Sequence, residues 1–407
     1  MAAFDEELEQ RLDGIRAAGL WRELRRIDSP QGARVRFAGR ELVNLSSNDY
    51  LGLAAHPALI EAAVQALRDS GAGAGASRLI CGSLAPHHRL EESLAAFKGT
   101  EAALSFSSGY AAAMGTITAL LDKDDVVVVD KLVHACCVDA ARLSGAKLRV
   151  FAHNDLGELE SILQWADQRL QGVGHGARKG RVLVVTESVF SMDGDLAPLR
   201  EIVELKDRFG AWIMLDEAHA LGLFGEHRRG LADAFELGGR IEIQLGTLGK
   251  AVGAAGGFVA GSRPLIDLLV NRARSFIFST APTPASVAAA EAGIELIAGD
   301  EGAARNQRLW ALVDGLKNAL IRSGWPPGLV RSPIIPLVVG GEEAAVELAT
   351  DLREAGFFVP AIRFPTVARG AARLRVTVSA SHRPENLSQF ASTAATRRTS
   401  ALNPDTE

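Results

Sequence analysis

Cysteine is scarce in this chain of 407 residues: Cys81, Cys136 and Cys137 are all there is, an odd number with two adjacent. That excludes a disulfide framework and fits free thiols in a reducing, cytoplasmic compartment; all three read as core residues, not as catalysts. No apolar stretch approaches the ~20 residues needed to cross a bilayer, so no membrane partner is expected. The start Met1-Ala2-Ala3-Phe4-Asp5-Glu6-Glu7 is acidic and lacks the basic region and apolar stretch of an export signal. Basic residues are not in excess, with a net charge of -5, which removes the electrostatic reason to expect nucleic acid. His-Glu-x-x-His and paired Cys-x-x-Cys are missing, so no metal is expected, and Gly-x-Ser-x-Gly is missing, which argues against a serine hydrolase. The run Gly71-Ala72-Gly73-Ala74-Gly75-Ala76 follows a helical pattern instead of a strand, and no Gly-Lys-Ser/Thr is present, so a phosphate-binding loop of the nucleotide type is rejected.

What is present is a 47% hydrophobic chain with ordinary charge and room for two or three domains. Leu8, Leu12, Ile15, Leu20, Leu24 and Ile27 predict an amphipathic helix or helix pair over 5–27. Helices over 57–69, 86–98, 109–121, 155–170 and 198–208 then alternate with strands over 102–106, 126–129, 148–151, 181–186, 211–215 and 241–246. Such alternation, with continuous apolar strands, predicts an α/β domain built on a mainly parallel sheet. Residues 171–180 read as a polar, glycine-rich surface loop. Beyond Pro282 and Pro284 the pattern gives a long alanine-rich helix, strands 334–339 and 373–379, a helix near 342–355, and a tail that loses periodicity from Ala391. The expected organisation is an N-terminal helical and extended segment over 1–45, a large domain over 46–285 and a smaller α+β domain over 286–407.

One lysine carries the chemistry. Lys250, in Gly246-Thr247-Leu248-Gly249-Lys250, is the one charged residue between Glu242 and Arg263, so its ammonium is poorly solvated. An amine so placed has a lowered pKa and forms Schiff bases. Upstream, Trp212-Ile213-Met214-Leu215 ends on Asp216, a carboxylate at a strand end that suits a protonated pyridine nitrogen. Amine and acid together point to pyridoxal 5'-phosphate (PLP). The strand, turn and helix start around Ser107-Ser108-Gly109 offers amides to a phosphate, although taken alone it reads first as a Ser-Gly helix cap with no ligand. Thr247 adds a hydroxyl. His134, after strand 126–129, is placed to stack on the ring or to be an ordinary loop histidine, and His219 is in reach of the ring's phenolic oxygen or caps a helix. Glu187 and Ser191, after strand 181–186, border the ring edge.

In order and spacing, Ser47-Asn48-Asp49-Tyr50-Leu51-Gly52-Leu53, Asp216-Glu217-Ala218-His219-Ala220-Leu221-Gly222 and Thr247-Leu248-Gly249-Lys250 resemble the α-oxoamine synthases, PLP enzymes of fold type I. The resemblance spans about residues 10–385. It implies a seven-stranded, mainly parallel sheet between helices, a smaller C-terminal domain, a homodimer, and condensation of an amino acid with an acyl-CoA or acyl-carrier-protein thioester with loss of carbon dioxide. It also implies Lys250 as the imine lysine, Asp216 as the pyridinium partner, His134 as the stacking residue, and Glu187, Ser191 and His219 around the ring. Gly109, Tyr110 and Thr247 correspond to phosphate contacts, and Arg22, Asn48, His134, Arg363, Thr366 and Arg375 to the substrate side. His153-Asn154-Asp155, Ser275–Pro282 and Ala361–Val367 resemble the branch that joins L-alanine to a pimeloyl thioester. Leu79-Ile80-Cys81-Gly82-Ser83 is nearer the branch that joins glycine to acetyl-CoA, and an aminotransferase needing no thioester is the third reading.

Overall fold

A computed structural model of the chain describes residues 2–171, 180–325 and 327–402. The N-terminal part comprises α1 (Ala2–Ala17), β1 (Arg34–Phe37) and β2 (Arg40–Asn44). The helix predicted over 5–27 stops early: Gly19 takes φ +66°, and the amide of Leu20 closes back on the Ile15 carbonyl at 3.0 Å, a left-handed helix stop. Residues 20–33 run irregularly to β1.

The central part follows as α2 (Pro57–Ser70), α3 (Ala85–Lys98), β3 (Ala102–Phe106), α4 (Gly109–Leu120), β4 (Val126–Asp130), α5 (Ala135–Ser144), β5 (Lys147–Phe151), α6 (Leu156–Gln171), β6 (Val182–Glu187), α7 (Leu199–Arg208), β7 (Trp212–Asp216), α8 (Leu231–Ala234), β8 (Ile243–Thr247), β9 (Gly257–Gly261), α9 (Arg263–Arg272), α10 (Arg274–Ile277) and α11 (Pro284–Ala298). Seven strands form one sheet in the order β3-β9-β8-β7-β6-β4-β5, parallel except for β9, which runs antiparallel to both its neighbours. The strand period of two explains why the sheet is apolar throughout. Val126, Val128, Val184, Ile213 and Leu215 enter the hydrophobic layer on one face, while Val127, Val129, Leu183, Val185 and Met214 enter that on the other. Because both faces are covered, polar groups collect at the carboxyl ends of the strands, where open α/β sheets place ligands.

The rest of the chain is α12 (Asp300–Arg322), β10 (Ile334–Gly340), α13 (Glu342–Glu354), β11 (Phe357–Phe358), β12 (Ala361–Ile362), β13 (Ala372–Thr377) and α14 (Pro384–Leu402). β10, β13 and β12 form an antiparallel sheet, and β11 pairs in parallel with β2, so the N-terminal segment is hydrogen-bonded to the C-terminal part. The tail stays helical past Ala391 because Leu387, Phe390, Ala391 and Ala394 share a buried face at helical spacing. Cys136 and Cys137 are buried as expected, but Cys81 is exposed, on the turn after Ser77 and outside any strand or helix. The glycine-rich loop predicted over 171–180 lies almost wholly outside the described residues. No helix among the described residues is long and apolar enough to cross a membrane.

Candidate active site

Three strand ends supply the acidic and imidazole groups. Glu187 and Asp216 close β6 and β7 and are paired in register across the two parallel strands. The Ser188 amide and hydroxyl both donate to the Asp216 carbonyl, at 2.9 and 3.1 Å, and Asp216 Oδ1 accepts from the Ala218 amide at 2.9 Å. His134 caps α5, its Nδ1 accepting from the Cys136 amide at 3.3 Å, and its own amide donates to Glu187 Oε1. Burial pushes the Glu187 carboxyl up to about 8, with the Asp216 charge adding to the effect. Burial also raises the Asp216 carboxyl, opposed by the Lys250 charge and the Ala218 amide.

Lys250 sits in the turn that leaves β8. Its Nζ lies 2.8 Å from His219 Nε2; His219 Nδ1 lies 2.6 Å from the Tyr50 hydroxyl, which donates to Asn48 Oδ1 at 3.2 Å. Burial drives His219 well below its ordinary pKa, and the Lys250 charge pushes the same way, so the ring is neutral. A neutral imidazole has one donor and one acceptor. With the lysine donating to Nε2, the Nδ1 hydrogen points to Tyr50, and the relay runs in one direction from amine to Asn48. Burial lowers the Lys250 pKa, against the pull of Asp216 and Glu187.

The third corner is the start of α4. Ser108 caps it by accepting from the Ala111 amide at 3.1 Å, leaving the first amides of the helix for an anion. Gly109 faces Thr247: a Cβ on Gly109 would lie 3.6 Å from the Thr247 Cβ. Gly257 is required for this approach, because a Cβ there would fall 2.4 Å from the Gly109 nitrogen. Tyr110 is half exposed, and its hydroxyl donates to Asp139 at 2.8 Å.

The predicted substrate residues divide into those near this centre and those engaged elsewhere. Asn48 lines a cavity of about 410 Å³ together with Gly249, Lys250, Ser47 and Phe358. Arg375, buried in β13, donates from Nε to the Ser191 carbonyl, and its charge acts on Tyr50, His219 and Lys250. Arg363 instead donates to the carbonyls of Gly19 and Trp21 at 2.6 and 2.7 Å, which ties down the segment carrying the exposed Arg22. Thr366 is exposed on the turn after Arg363.

Three features were not assigned from sequence. Tyr50 is the link between His219 and Asn48, although its motif was noted. Lys98 and Glu217 form an ion pair with both side chains buried, and Glu217 Oε1 also accepts from the Ala232 amide at 2.9 Å. Gly230, at φ +127°, leaves room for that carboxylate, since a Cβ there would fall 2.4 Å from its oxygens. Cys136 Sγ lies 3.0 Å from His134 Nδ1, and the Cys137 and His134 contacts lower its thiol to about 6. Pairing across 119 residues, as Lys98 does with Glu217, leaves no local pattern to read.

The donor set suits PLP: a poorly solvated amine, a buried carboxylate, an imidazole beside it, and a helix start backed by a threonine. Residues 40–393 match the family model for class I and II aminotransferases. The chain belongs to this family. Among its relatives, the 8-amino-7-oxononanoate synthase of Geobacter sulfurreducens is 48% identical over 376 residues, 92% of this chain and 94% of that protein. The corresponding enzyme of Anaeromyxobacter dehalogenans is 49% identical over 371 residues, covering 91% and 90%. Among solved structures of the family's fold, a serine palmitoyltransferase variant of S. paucimobilis with a bound PLP–myriocin aldimine superposes with a TM-score of 0.89 at 28% identity, covering 98% of each chain. An 8-amino-7-oxononanoate synthase of Francisella tularensis shares the fold, with a TM-score of 0.72 at 24% identity over 87% of this chain and 97% of that one.

Proposed function

We propose that this protein condenses L-alanine with a pimeloyl thioester, on CoA or a carrier protein, to give 8-amino-7-oxononanoate, carbon dioxide and the free thiol, a step of biotin biosynthesis. The observation that carries this reading is 48% identity to an 8-amino-7-oxononanoate synthase along nearly the whole of both chains. In the net reaction a bond forms between the alanine Cα and the acyl carbon, the C–S bond breaks, and the bond from Cα to the carboxylate breaks as carbon dioxide leaves.

PLP, when bound, supplies an electron-withdrawing ring that stabilises negative charge at the amino-acid Cα. Lys250 would hold the cofactor, and its free Nζ would be the base that takes the Cα proton. Its lowered pKa serves this role, since a base works best near the operating pH. Asp216 would hold the proton of the ring nitrogen and His134 would cover the ring; His219, Ser191 and Glu187 would border it, and the α4 amides from Gly109 and Tyr110, with the Thr247 hydroxyl, would hold the phosphate. Arg375 grips the amino-acid carboxylate, for which a guanidinium fork is suited, until that carboxylate is lost. Asn48 adds a polar contact beside Lys250, while Arg22, Arg363 and Thr366 border the acyl entrance.

A homodimer is the proposed working unit, in which exposed apolar side chains such as Ile80, Phe278 and Leu143, at 78%, 71% and 68% on a single chain, would be covered by a second copy. Thiol release across a grid of alanine and glycine against pimeloyl-CoA and acetyl-CoA tests the assignment. Alanine with pimeloyl-CoA is expected to be fastest; a preference for glycine with acetyl-CoA overturns the substrate choice, and turnover without any thioester overturns the reaction class.

A further inference from the structure

The mechanism leaves Cys136 and Cys137 unused, although they lie against its acid. Their sulfurs stand 3.9 Å apart, and an Asp216 carboxylate oxygen lies within 4.8 Å of both. A disulfide would need about 2.05 Å, so the pair is a dithiol. The spacing fits something else. Two thiolates bound to one tetrahedral zinc, each at about 2.3 Å, stand about 3.8 Å apart. A carboxylate oxygen at about 2.0–2.2 Å completes three protein donors and leaves the fourth place for water, the coordination of open zinc sites. His134 Nδ1 lies 3.0 Å from Cys136 Sγ. Cys136, Cys137 and Asp216 are buried, at 3%, 0% and 7% exposure, with the exposed His134 beside them.

We infer that Cys136 Sγ, Cys137 Sγ and an Asp216 carboxylate oxygen bind one thiophilic divalent cation of the zinc class in the cofactor-free protein, and that this ion and PLP exclude each other. Binding puts two thiolates on the ion and releases the proton of whichever thiol still carries one, with no change of oxidation state. The exclusion rests on the proposed function, because one carboxylate cannot both ligate the ion and hold the proton of the ring nitrogen. Any binding of the ion itself does not depend on that reading.

Cobalt(II) is the probe, because its bonds to thiolates produce charge-transfer absorption. Full-length, cofactor-free chain titrated with cobalt is expected to develop that absorption to one equivalent, and zinc is expected to bleach it. Cys136→Ser and Cys137→Ser should each weaken binding at least ~10-fold, about 1.4 kcal/mol. Cys81→Ser should bind as the parent does. Asp216→Asn, which leaves both thiols in place, should keep the charge-transfer band but weaken binding. Absence of the band in the parent chain, its persistence in the double serine variant, or its loss in Cys81→Ser overturns the site. Equal cobalt binding with and without saturating PLP overturns the exclusion. Hydride fixation of PLP on Lys250, followed separately, reports on the proposed function, so failure of the metal site and failure of that reading are told apart.

Discussion

Glu187 and Asp216 face each other across neighbouring parallel strands, two buried carboxyls in register at the edge of one site. Two such groups do not both ionise without cations to match them. Glu187, raised to about 8 by burial and the Asp216 charge, is the member of the pair that keeps its proton at neutral pH, while its Oε1 accepts from the His134 amide.

The pair can therefore be separated by mutation. Asp216→Asn is expected to lower kcat by about 10²–10³-fold, the scale of a lost electrostatic partner at a reacting centre. Glu187→Gln, which removes a charge that is largely absent, should cost far less. Equal losses in the two variants would reverse the assignment of roles.

Tyr50 holds the Nδ1 side of the histidine beside Lys250. Tyr50→Phe keeps the ring but removes the hydroxyl between His219 and Asn48, leaving a buried imidazole N–H without its partner. A stability loss of about 1–3 kcal/mol is expected, seen as a lower urea midpoint at unchanged m. An unshifted midpoint would show that the relay is not held by this hydroxyl.

The buried pair of Lys98 and Glu217 anchors the segment that carries Asp216. Lys98→Met leaves the Glu217 carboxylate uncompensated and should cost about 3–5 kcal/mol. Adding Glu217→Gln keeps the acceptor for the Ala232 amide and removes the stranded charge, so the double variant should recover much of the loss. A double variant as unstable as the single one would contradict this.

His153 lies between Asp130 and Asp195, at 3.0 and 2.8 Å. Burial opposes its charge, but the two hydrogen-bonded carboxylates prevail and lift the ring to about 10. A histidine raised in the folded state contributes stability that is full below its unfolded pKa of about 6.5 and is lost as pH rises through the folded value. The difference in Tm between the parent and His153→Gln should thus be largest near pH 6 and shrink toward pH 10. A difference that grows with pH would refute the ion pairs.

The central sheet was legible because each strand is a short apolar run with covered faces, and its polar ends marked Asp216 and Glu187. Lys250 stood out by its lack of charged neighbours, and His134 by following a strand. Less was visible where tertiary contacts decide. The first helix ends at Gly19 although apolar spacing continues to Ile27, and α14 continues past Ala391 because its buried face depends on packing elsewhere in the fold. β9 is absent from the predicted strands, since Gly257 and Gly261 serve close approaches, to α4 and to the Glu242 carbonyl, that no local pattern records. Arg363 and Arg375 looked equivalent in sequence, yet one holds the N-terminal segment while the other reaches the Lys250 group.

Borohydride reduction of the PLP-loaded protein, followed by peptide mass spectrometry, tests the account at its root. A single pyridoxyl adduct on Lys250 is the predicted result, absent from Lys250→Ala, whose turnover should fall by at least the ~10²–10⁴-fold assigned to a positioned base. An adduct on another lysine, or none, would contradict it.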